Sequence, residues 1–365
     1  MINQSFTQVK VSIYRQATDQ KVRGLNPCGR THTFIVKFVS FCILKFREIK
    51  ITKSEKVVGL ELLSAFSGVL IAVQSRINGE LSTQMNDALG AAFVSFATGL
   101  ALISLVAVFR KNIRVGFISI FRAVSEKKFP SWRIAAGMLG AIFVATSTYV
   151  VPLVGIALFT VATLAGQTAI SLWVDHVGLI GSGKTIITLR RVVAAFITVG
   201  AVVISAWDRL SMSDFSVIGI VLAIVAGGLV GIQRALNGQI NSYSNQSLST
   251  SFLNFISGTI FLTILLIIRW IVTDHSIINF TKGPWWIYLG GSIGVIYIAF
   301  TALIVQSLGV FEFTLFSVGG MLIGSLLLDV FVPTQGTHIS PYLIAGIFLT
   351  YLGVIANGQS RFSRK

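Results

Sequence analysis

Forty-one consecutive residues, 134–174, contain no Asp, Glu, Lys or Arg. A transmembrane helix needs about 20 apolar residues, so this run is too long for one span and long enough for two. Pro152 and Gly155 lie near its middle, where they favour a break in a helix. The run therefore predicts a helical hairpin inside a membrane.

Apolar windows of spanning length follow one another from Val57 onward. Backbone polar groups in lipid must be satisfied within the spanning element, and the windows lack the alternating polarity of barrel strands, so each predicts a helix. We expect ten spans, at residues 60–82, 88–109, 132–152, 156–175, 190–207, 215–240, 248–269, 285–306, 310–329 and 340–358. The predicted fold class is an all-α polytopic membrane protein with ten transmembrane helices.

The composition excludes several other classes. Hydrophobic residues make up 54% of the chain and charged residues 12%, whereas a soluble domain carries about 25% charged residues. The net charge of +16 is typical of cytoplasmic loops in a membrane protein, so no nucleic-acid partner is expected. Two cysteines, Cys28 and Cys42, and four scattered histidines predict no metal site, disulfide or redox motif, and we expect no cofactor.

Residues 1–56 differ from the rest, with eleven Lys/Arg against three Asp/Glu. Their longest apolar stretch, 34–46, is interrupted by lysines, is too short to span a bilayer and does not resemble a signal peptide. Three interpretations are open: a basic tail lying on anionic lipid, a disordered segment, or a translation start near Val57.

Lys and Arg placement orients the predicted helices. Thirteen of them fall in the loops at 110–131 and 176–190 with their flanking residues, and in the C-terminal tail, which an even helix count places on one side. The opposite loops and their flanks offer Arg209, Arg269 and Lys282. The positive-inside rule therefore predicts that both termini are cytoplasmic.

An internal repeat is the most informative pattern. Residues 68–99 match 227–258 at 10 of 32 positions, with an offset of 159, and Gln74/Gln233 and Asn78/Asn237 are among the pairs. Residues 132–175 match 286–329 at 13 of 44 positions, with an offset of 154. Shared apolar composition would not align Trp, Gln, Asn, Asp and several Gly.

The repeat predicts two halves, 57–208 and 209–360, each of five helices. Because five is odd, the second half enters the membrane upside down relative to the first. Inverted repeats of this kind recur in secondary transporters, with the substrate site at their interface. The segment 1–56 matches neither half.

Two five-helix inverted halves resemble the drug/metabolite transporter superfamily. The sequence Ala165-Gly-Gln-Thr-Ala-Ile-Ser-Leu-Trp-Val-Asp-His176 resembles its YdcZ-like branch of inner-membrane exporters, of which this chain resembles a double-length form. The resemblance covers about residues 60–358, and the second half departs from it where Met321 stands in place of the Gln. It implies a bacterial inner membrane and small-molecule transport, and it supplies neither a substrate nor binding residues.

Polar side chains within the spans are the candidate substrate-binding residues. Gln74 and Asn78 are four residues apart and share a helix face, as do Gln233 and Asn237. Either these amides hydrogen-bond between the repeats, or they line a substrate site. Gln167 lies near the middle of a polar stripe with Thr160, Thr163 and Ser171, which faces either a cavity or another helix.

Acidic residues near the helix ends have two possible roles. Asp175 and Asp329 are expected to reach headgroups or loop cations. Glu312 is the candidate ion-coupling residue, because a buried carboxylate can take up and release a proton. Its place two residues into the ninth predicted helix equally fits an interfacial, helix-start role.

The segment Gly178-Leu-Ile-Gly-Ser-Gly-Lys-Thr185 fits a Walker A pattern. Phosphate binding needs a strand before this loop and a helix after it, in a nucleotide-binding domain. Here the loop joins two membrane spans, so no nucleotide partner is expected.

Together these patterns predict a secondary transporter, an exporter of a small metabolite or drug-like molecule, working by alternating access. A proton or another cation is a candidate coupling ion, and a monomer or homodimer is expected. A membrane-embedded enzyme is not expected, because no cluster of acid, base or nucleophile lies within the spans. The alternative is a non-transporting membrane scaffold or assembly partner.

Overall fold

The computed structural model describes residues 53–177, 188–209, 216–273, 280, 283–308 and 310–359. Within these ranges the chain forms α-helices and three short 3-10 helices, without a strand. The α-helices are α1 (Lys53–Met85), α2 (Ala88–Phe109), α3 (Lys111–Ser125), α4 (Ala136–Val154), α5 (Ile156–Val177), α6 (Leu189–Ala206), α7 (Val217–Ser244), α8 (Ser247–Thr273), α9 (Gly290–Leu308), α10 (Val310–Phe331) and α11 (Pro341–Gln359).

Each of the ten predicted spans coincides with one of these helices, and α3 is the additional one. Among the described residues, seven helices are long and apolar enough to cross a membrane. Shorter apolar stretches, 191–206, 285–298 and 341–356, lie in the other three predicted spans. The protein is therefore an all-α polytopic membrane protein.

The outward faces of the helices agree with a lipid surrounding. On α8, Ile260, Ile264, Ile267 and Ile271 follow one another at helical spacing, and each exposes more than 40% of its surface. Such a stripe is unfavourable in water and favourable in a bilayer. The packed interior is centred on α5, where Phe159 and Leu158 are fully buried.

The predicted helical hairpin is confirmed. Helix α4 contains Pro152 and ends at Val154, and α5 begins at Ile156. Gly155 joins them with φ of +80°, a backbone conformation that side chains other than glycine rarely adopt. The break is therefore encoded by one proline and one glycine.

The loop expected at 110–131 contains a helix that was not predicted. Arg110 is extended and ends α2, and α3 begins one residue later. Ile113, Gly116, Ile120 and Ala123 form a buried stripe of α3 at helical spacing. This helix does not stand out in the sequence, because its apolar stripe is too short and too often interrupted by charges to resemble a span.

Glycines bring four helices into backbone contact. A Cβ atom at Gly227 of α7 would collide with the carbonyl oxygen of Thr163 on α5, and one at Gly68 of α1 would collide with that of Ser317 on α10. Small residues at such crossings allow close packing in lipid, where the hydrophobic effect does not drive helix association.

The partner helices α5 and α10 carry glycines that make the same kind of contact in return. A Cβ atom at Gly166 of α5 would collide with the carbonyl oxygen of Ile224, and one at Gly320 of α10 with that of Ala65. The helix pairs α5–α7 and α1–α10 are therefore each locked by two glycines, one on each partner.

Candidate functional site

The first amide cluster consists of Gln74 and Asn78 on α1 and Ser95 on α2. Asn78 is 1% exposed and Ser95 is 2% exposed. The Asn78 Oδ1 atom is buried and has no hydrogen-bond partner in the part of the chain that the structure describes. This cluster therefore contains an unused acceptor. Leaving a buried carbonyl oxygen unsatisfied costs about 1–3 kcal/mol of stability.

The backbone of α9 closes the first amide cluster. A Cβ atom at Gly290 would collide with Asn78 Oδ1 and lie 3.3 Å from Ser95 Oγ. One turn further along, a Cβ atom at Gly294 would lie 3.0 Å from Gln74 Nε2. The predicted substrate residues of the first half therefore contact a helix from the second half.

The second amide cluster consists of Gln233 and Asn237 on α7 and Asn254 on α8. Gln233 Nε2 donates to Asn254 Oδ1 at 2.9 Å, and Asn254 Nδ2 donates to Asn237 Oδ1 at 2.8 Å. The same Nδ2 also donates to the Thr250 carbonyl at 2.8 Å. These side-chain bonds link neighbouring helices of the second half, so the predicted hydrogen bond between the repeats is not what these amides form.

Helix α4 closes the second amide cluster as α9 closes the first. A Cβ atom at Gly140 would collide with Gln233 Nε2, and one at Gly137 would collide with the Asn254 carbonyl oxygen. Each cluster is thus built from two helices of one half and a glycine-bearing helix of the other half. Ser95 and Asn254 were not predicted as site residues, although Asn254 is a polar residue within an apolar window.

Among the described residues, no hydrogen bond joins Gln167 to either cluster. Gln167 is half-buried on α5, and its backbone faces Gly231 of α7, where an added Cβ would lie 3.7 Å from its carbonyl oxygen. Thr160 and Thr163 are fully buried on the same helix. The predicted stripe therefore packs on another helix at Thr163, whose carbonyl oxygen faces Gly227.

Arg76 and Glu80 form a charged contact inside α1, which the sequence analysis passed over. Arg76 Nη1 pairs with Glu80 Oε2 at 2.9 Å, and Arg76 Nε donates to the Val332 carbonyl at 3.0 Å. Arg76 therefore binds the backbone just beyond the end of α10. A cation beside unpaired carbonyls at a helix C-terminus is favourable.

Asp87 and Arg269 form a bidentate ion pair between α2 and α8. The two Arg269 Nη atoms lie 2.6 and 2.8 Å from the Asp87 carboxylate oxygens, and Asp87 also caps α2 by accepting from the Gly90 amide at 2.9 Å. Burial alone would raise the pKa of Asp87, but the Arg269 and Gly90 hydrogen bonds outweigh it and hold the pKa below its usual range.

Asp329 is a correction to the sequence analysis. It is 2% exposed, and its two carboxylate oxygens accept from the amides of Ile156 at 3.0 Å and Ala157 at 2.8 Å. It therefore caps the N-terminus of α5 from the end of α10, instead of reaching headgroups. Helix position alone does not reveal such a partner, which lies 173 residues away in the chain.

Several predicted features fall outside the described residues. Residues 1–52 and the Walker-like loop 178–185 lie there entirely, and so do the side chains of Asp175 and Glu312. The backbone of Glu312 is in the first turn of α10, which begins at Val310. Among the described residues, no three His, Cys, Asp or Glu side chains lie together as metal ligands.

Comparison with known families gives a match over most of the chain. A family described as "Putative inner membrane exporter, YdcZ" matches residues 60–204 and again residues 218–356. The chain belongs to this family. The two tandem matches make it a double-length form, as the sequence resemblance predicted. No curated protein matches the chain at a significant level.

The family match fixes the broad functional class. The protein is a membrane protein of a transporter family, which is not a class of enzymes. Both amide clusters lie within the matched residues, at Gln74–Ser95 and Gln233–Asn254.

Proposed function

We propose that the protein is a secondary transporter that exports a small metabolite or drug-like molecule by alternating access between two inverted five-helix halves. The observation that carries this proposal is that contacts between the halves occur in pairs related by the sequence repeat. Gly227 against Thr163 and Gly68 against Ser317 are one such pair, at offsets of 159 and 154. Gly166 against Ile224 and Gly320 against Ala65 are another.

A two-fold relation explains why the same contact occurs twice. If the halves were related by translation, α1 would not contact α10 as α7 contacts α5. With five helices in each half, the relating axis lies in the membrane plane. The two halves can then exchange conformations by rocking against each other, which opens the site to each side in turn.

In the proposed topology both termini are cytoplasmic because Lys and Arg gather on their side, and contacts between helix ends support the way the segments are divided between the two sides. Asp87 pairs with Arg269, and the Asp208 Oδ2 atom lies 3.0 Å from His338 Nε2. All four residues fall in segments that the topology places on the outer side. On the inner side, Tyr243 donates to the Lys128 carbonyl at 3.0 Å. Labelling single cysteines at 115 and 276 tests the topology, because modification of both from the same side would contradict the inverted repeat.

The proposed substrate-binding residues are Gln74, Asn78, Gln167, Gln233 and Asn237. Primary amides both donate and accept hydrogen bonds, so they suit a polar small molecule that carries both groups. Asn78 Oδ1 is the strongest of these candidates, because it is a buried acceptor without a described partner. A hydrogen-bond donor on the substrate would satisfy it.

The test is transport by purified protein in liposomes, with a panel of metabolites and drug-like compounds inside or outside. We expect at least one compound to move faster than in empty liposomes. The variants Gln74→Leu and Asn78→Leu should reduce that movement, while Gly200→Ala, where an added Cβ meets nothing within 4 Å, should not. Folded protein that moves no compound would contradict the proposal and favour the scaffold.

Glu312 is the proposed coupling residue if a proton drives export. Its place at the start of α10 leaves it near the membrane boundary, where a carboxylate can exchange protons with water. The variant Glu312→Gln cannot be charged, so we expect it to transport without dependence on a pH gradient, or not at all. If it keeps wild-type, gradient-dependent transport, Glu312 is not the coupling group.

A further inference from the structure

We propose that the outer face of α3 binds anionic phospholipid headgroups at the cytoplasmic end of the helix bundle. This α3 surface consists of Lys111, Arg114, Val115, Ile118, Phe121 and Arg122. The proposal depends on the protein spanning the membrane and not on what it transports.

Helix α3 lies across the end of the bundle. At its start, Ser249 Oγ donates to the Ile113 carbonyl at 2.8 Å. Just past its end, the Lys128 carbonyl accepts from Tyr243. Residues 243 and 249 flank the one turn that joins α7 to α8. A helix of 15 residues is about 22 Å long, so a helix running alongside α8 could not have both ends at the same turn.

The inner face of α3 packs against the rest of the protein. A Cβ atom at Gly116 would collide with Ser249 Oγ and lie 3.0 Å from the Ser244 carbonyl oxygen. The Phe117 ring packs on the Phe252 ring with centroids 5.1 Å apart. Helix α3 is therefore held in position by its buried stripe, and its orientation fixes what the opposite face presents.

The α3 surface combines apolar and basic side chains on one helix face. Val115, Ile118 and Phe121 expose 51%, 56% and 44% of their surface. Lys111, Arg114 and Arg122 are exposed beside them, at positions three or four residues apart. A helix with this pattern lies in the membrane interface, with its apolar side chains among the acyl chains and its cations at the phosphates.

The positive charge of α3 and its flanks favours an anionic ligand. Between residues 110 and 133 there are seven Lys/Arg and one acid, Glu126. That acid is exposed and already pairs with Lys128 at 2.7 Å. A patch of this sign attracts anionic lipids, by about 1 kcal/mol per basic residue near the surface.

Trp132 and Arg133, which follow α3, also fit a position at the membrane interface. Trp132 is 58% exposed, and the Arg133 guanidinium lies 5.4 Å from the centre of its ring. Tryptophan is enriched where the bilayer meets water, because its ring is amphipathic. The α3 surface and Trp132 therefore belong to one interfacial band at this end of the bundle.

The experiment uses the full chain in equal parts of phosphatidylglycerol and phosphatidylcholine. Native mass spectrometry counts the phosphatidylglycerol retained by the protein. The variant Lys111→Gln/Arg114→Gln/Arg122→Gln should retain about tenfold less of it. The control Arg361→Gln/Arg364→Gln/Lys365→Gln removes the same charge from the C-terminal tail and should retain the wild-type amount. Equal losses in the two variants would overturn the proposal, because net charge alone would then explain them.

A second measurement does not depend on the charge variants. In a Cys28→Ser/Cys42→Ser background, Ile118→Cys carries an environment-sensitive fluorophore, and the vesicles contain a phosphatidylglycerol that quenches it. We expect strong quenching at position 118 with no other protein present. An unquenched label would show that the α3 surface faces water or awaits a protein partner, and would overturn the proposal. The variant Arg114→Lys/Arg122→Lys keeps the charge and should keep the lipid.

Discussion

The two amide clusters are equivalent in sequence position and differ in one side chain. The repeat pairs Gln74 with Gln233 and Asn78 with Asn237, but it pairs Ser95 with Asn254. Asn254 bridges Gln233 and Asn237, so the second amide cluster satisfies its own side chains. In the first amide cluster, Asn78 Oδ1 is left without a described partner.

This difference separates a structural network from one with an unused group. An amide that is fully bonded within the protein holds helices together and has little left for a ligand. An amide with an unused acceptor is less stabilising and is available to bind. We therefore infer that the second amide cluster contributes more to stability, and that the first contributes more to substrate binding.

The largest expected effect falls on what the two halves share, the glycine contacts. Gly166→Val and Gly320→Val each push a side chain into a facing carbonyl oxygen. Because backbone cannot move aside easily, each should lower the free energy of unfolding by about 3 kcal/mol or more. Thermal unfolding in detergent measures this. Gly200→Val is the control, since an added Cβ there meets nothing within 4 Å. Tolerance of valine at one position of the pair would break the proposed symmetry.

The next effect separates the clusters. Asn254→Ala removes three hydrogen bonds and leaves Gln233 and Asn237 unsatisfied. We expect a loss of about 1–3 kcal/mol in stability. Its repeat partner provides the control, because Ser95→Ala removes a single hydroxyl and breaks no described bond to Gln74 or Asn78, so it should cost clearly less than Asn254→Ala. If both variants lose the same free energy of unfolding, the second amide cluster does not stabilise the protein more than the first.

A similar asymmetry holds for the ion pair at the ends of α2 and α8. Arg269 pairs with Asp87, while the positions related to them by the repeat hold Arg110 and Gln246. The Asp87 and Arg269 side chains are 13% and 26% exposed. Arg269→Gln should therefore cost about 1–2 kcal/mol, between the values for exposed and buried pairs. The exposed Arg110→Gln should have no measurable effect in the same unfolding assay.

The same pair predicts a dependence on pH. Because the pKa of Asp87 is lower in the folded than in the unfolded protein, its contribution is complete above the unfolded value of about 4. It is lost as pH falls through the folded value. The difference in melting temperature between wild type and Asp87→Asn should therefore be largest near neutral pH and shrink below about pH 4. A difference that grows on acidification would contradict this pairing.

The smallest expected loss of stability is at Asn78 itself. Asn78→Leu removes an acceptor that has no described partner, so it should not destabilise the protein, and the gain is at most the roughly 1–3 kcal/mol that the unsatisfied carbonyl costs. Asn237→Leu breaks the bond to Asn254 and should cost about 1 kcal/mol. Liposome transport should be reduced by Asn78→Leu. A large loss of stability with Asn78→Leu would show that the group is structural.

Local chemistry made much of the fold predictable. The absence of charge over 134–174 and the position of Pro152 and Gly155 predicted the hairpin. The apolar windows predicted the other helices of the ten spans, with ends that differ by up to seven residues, as at the start of α1. Helix α3 was missed because a helix that lies across the bundle needs only a short apolar stripe. Arg76 was missed because its partners, the backbone at 332–333, lie more than 250 residues away.

By itself, the sequence determined which segments form apolar helices that suit a membrane, since apolar character belongs to the residues of each segment alone. It also determined the internal repeat and, through that repeat, which amides to examine. The tertiary structure decided which amides are satisfied, because a hydrogen bond depends on what a distant helix places opposite. Asn254 donates to Asn237 whereas no described group does the same for Asn78, and Asp329 reaches the start of α5 from the far end of another helix. Such pairings are set by helix packing and cannot be read from either segment alone.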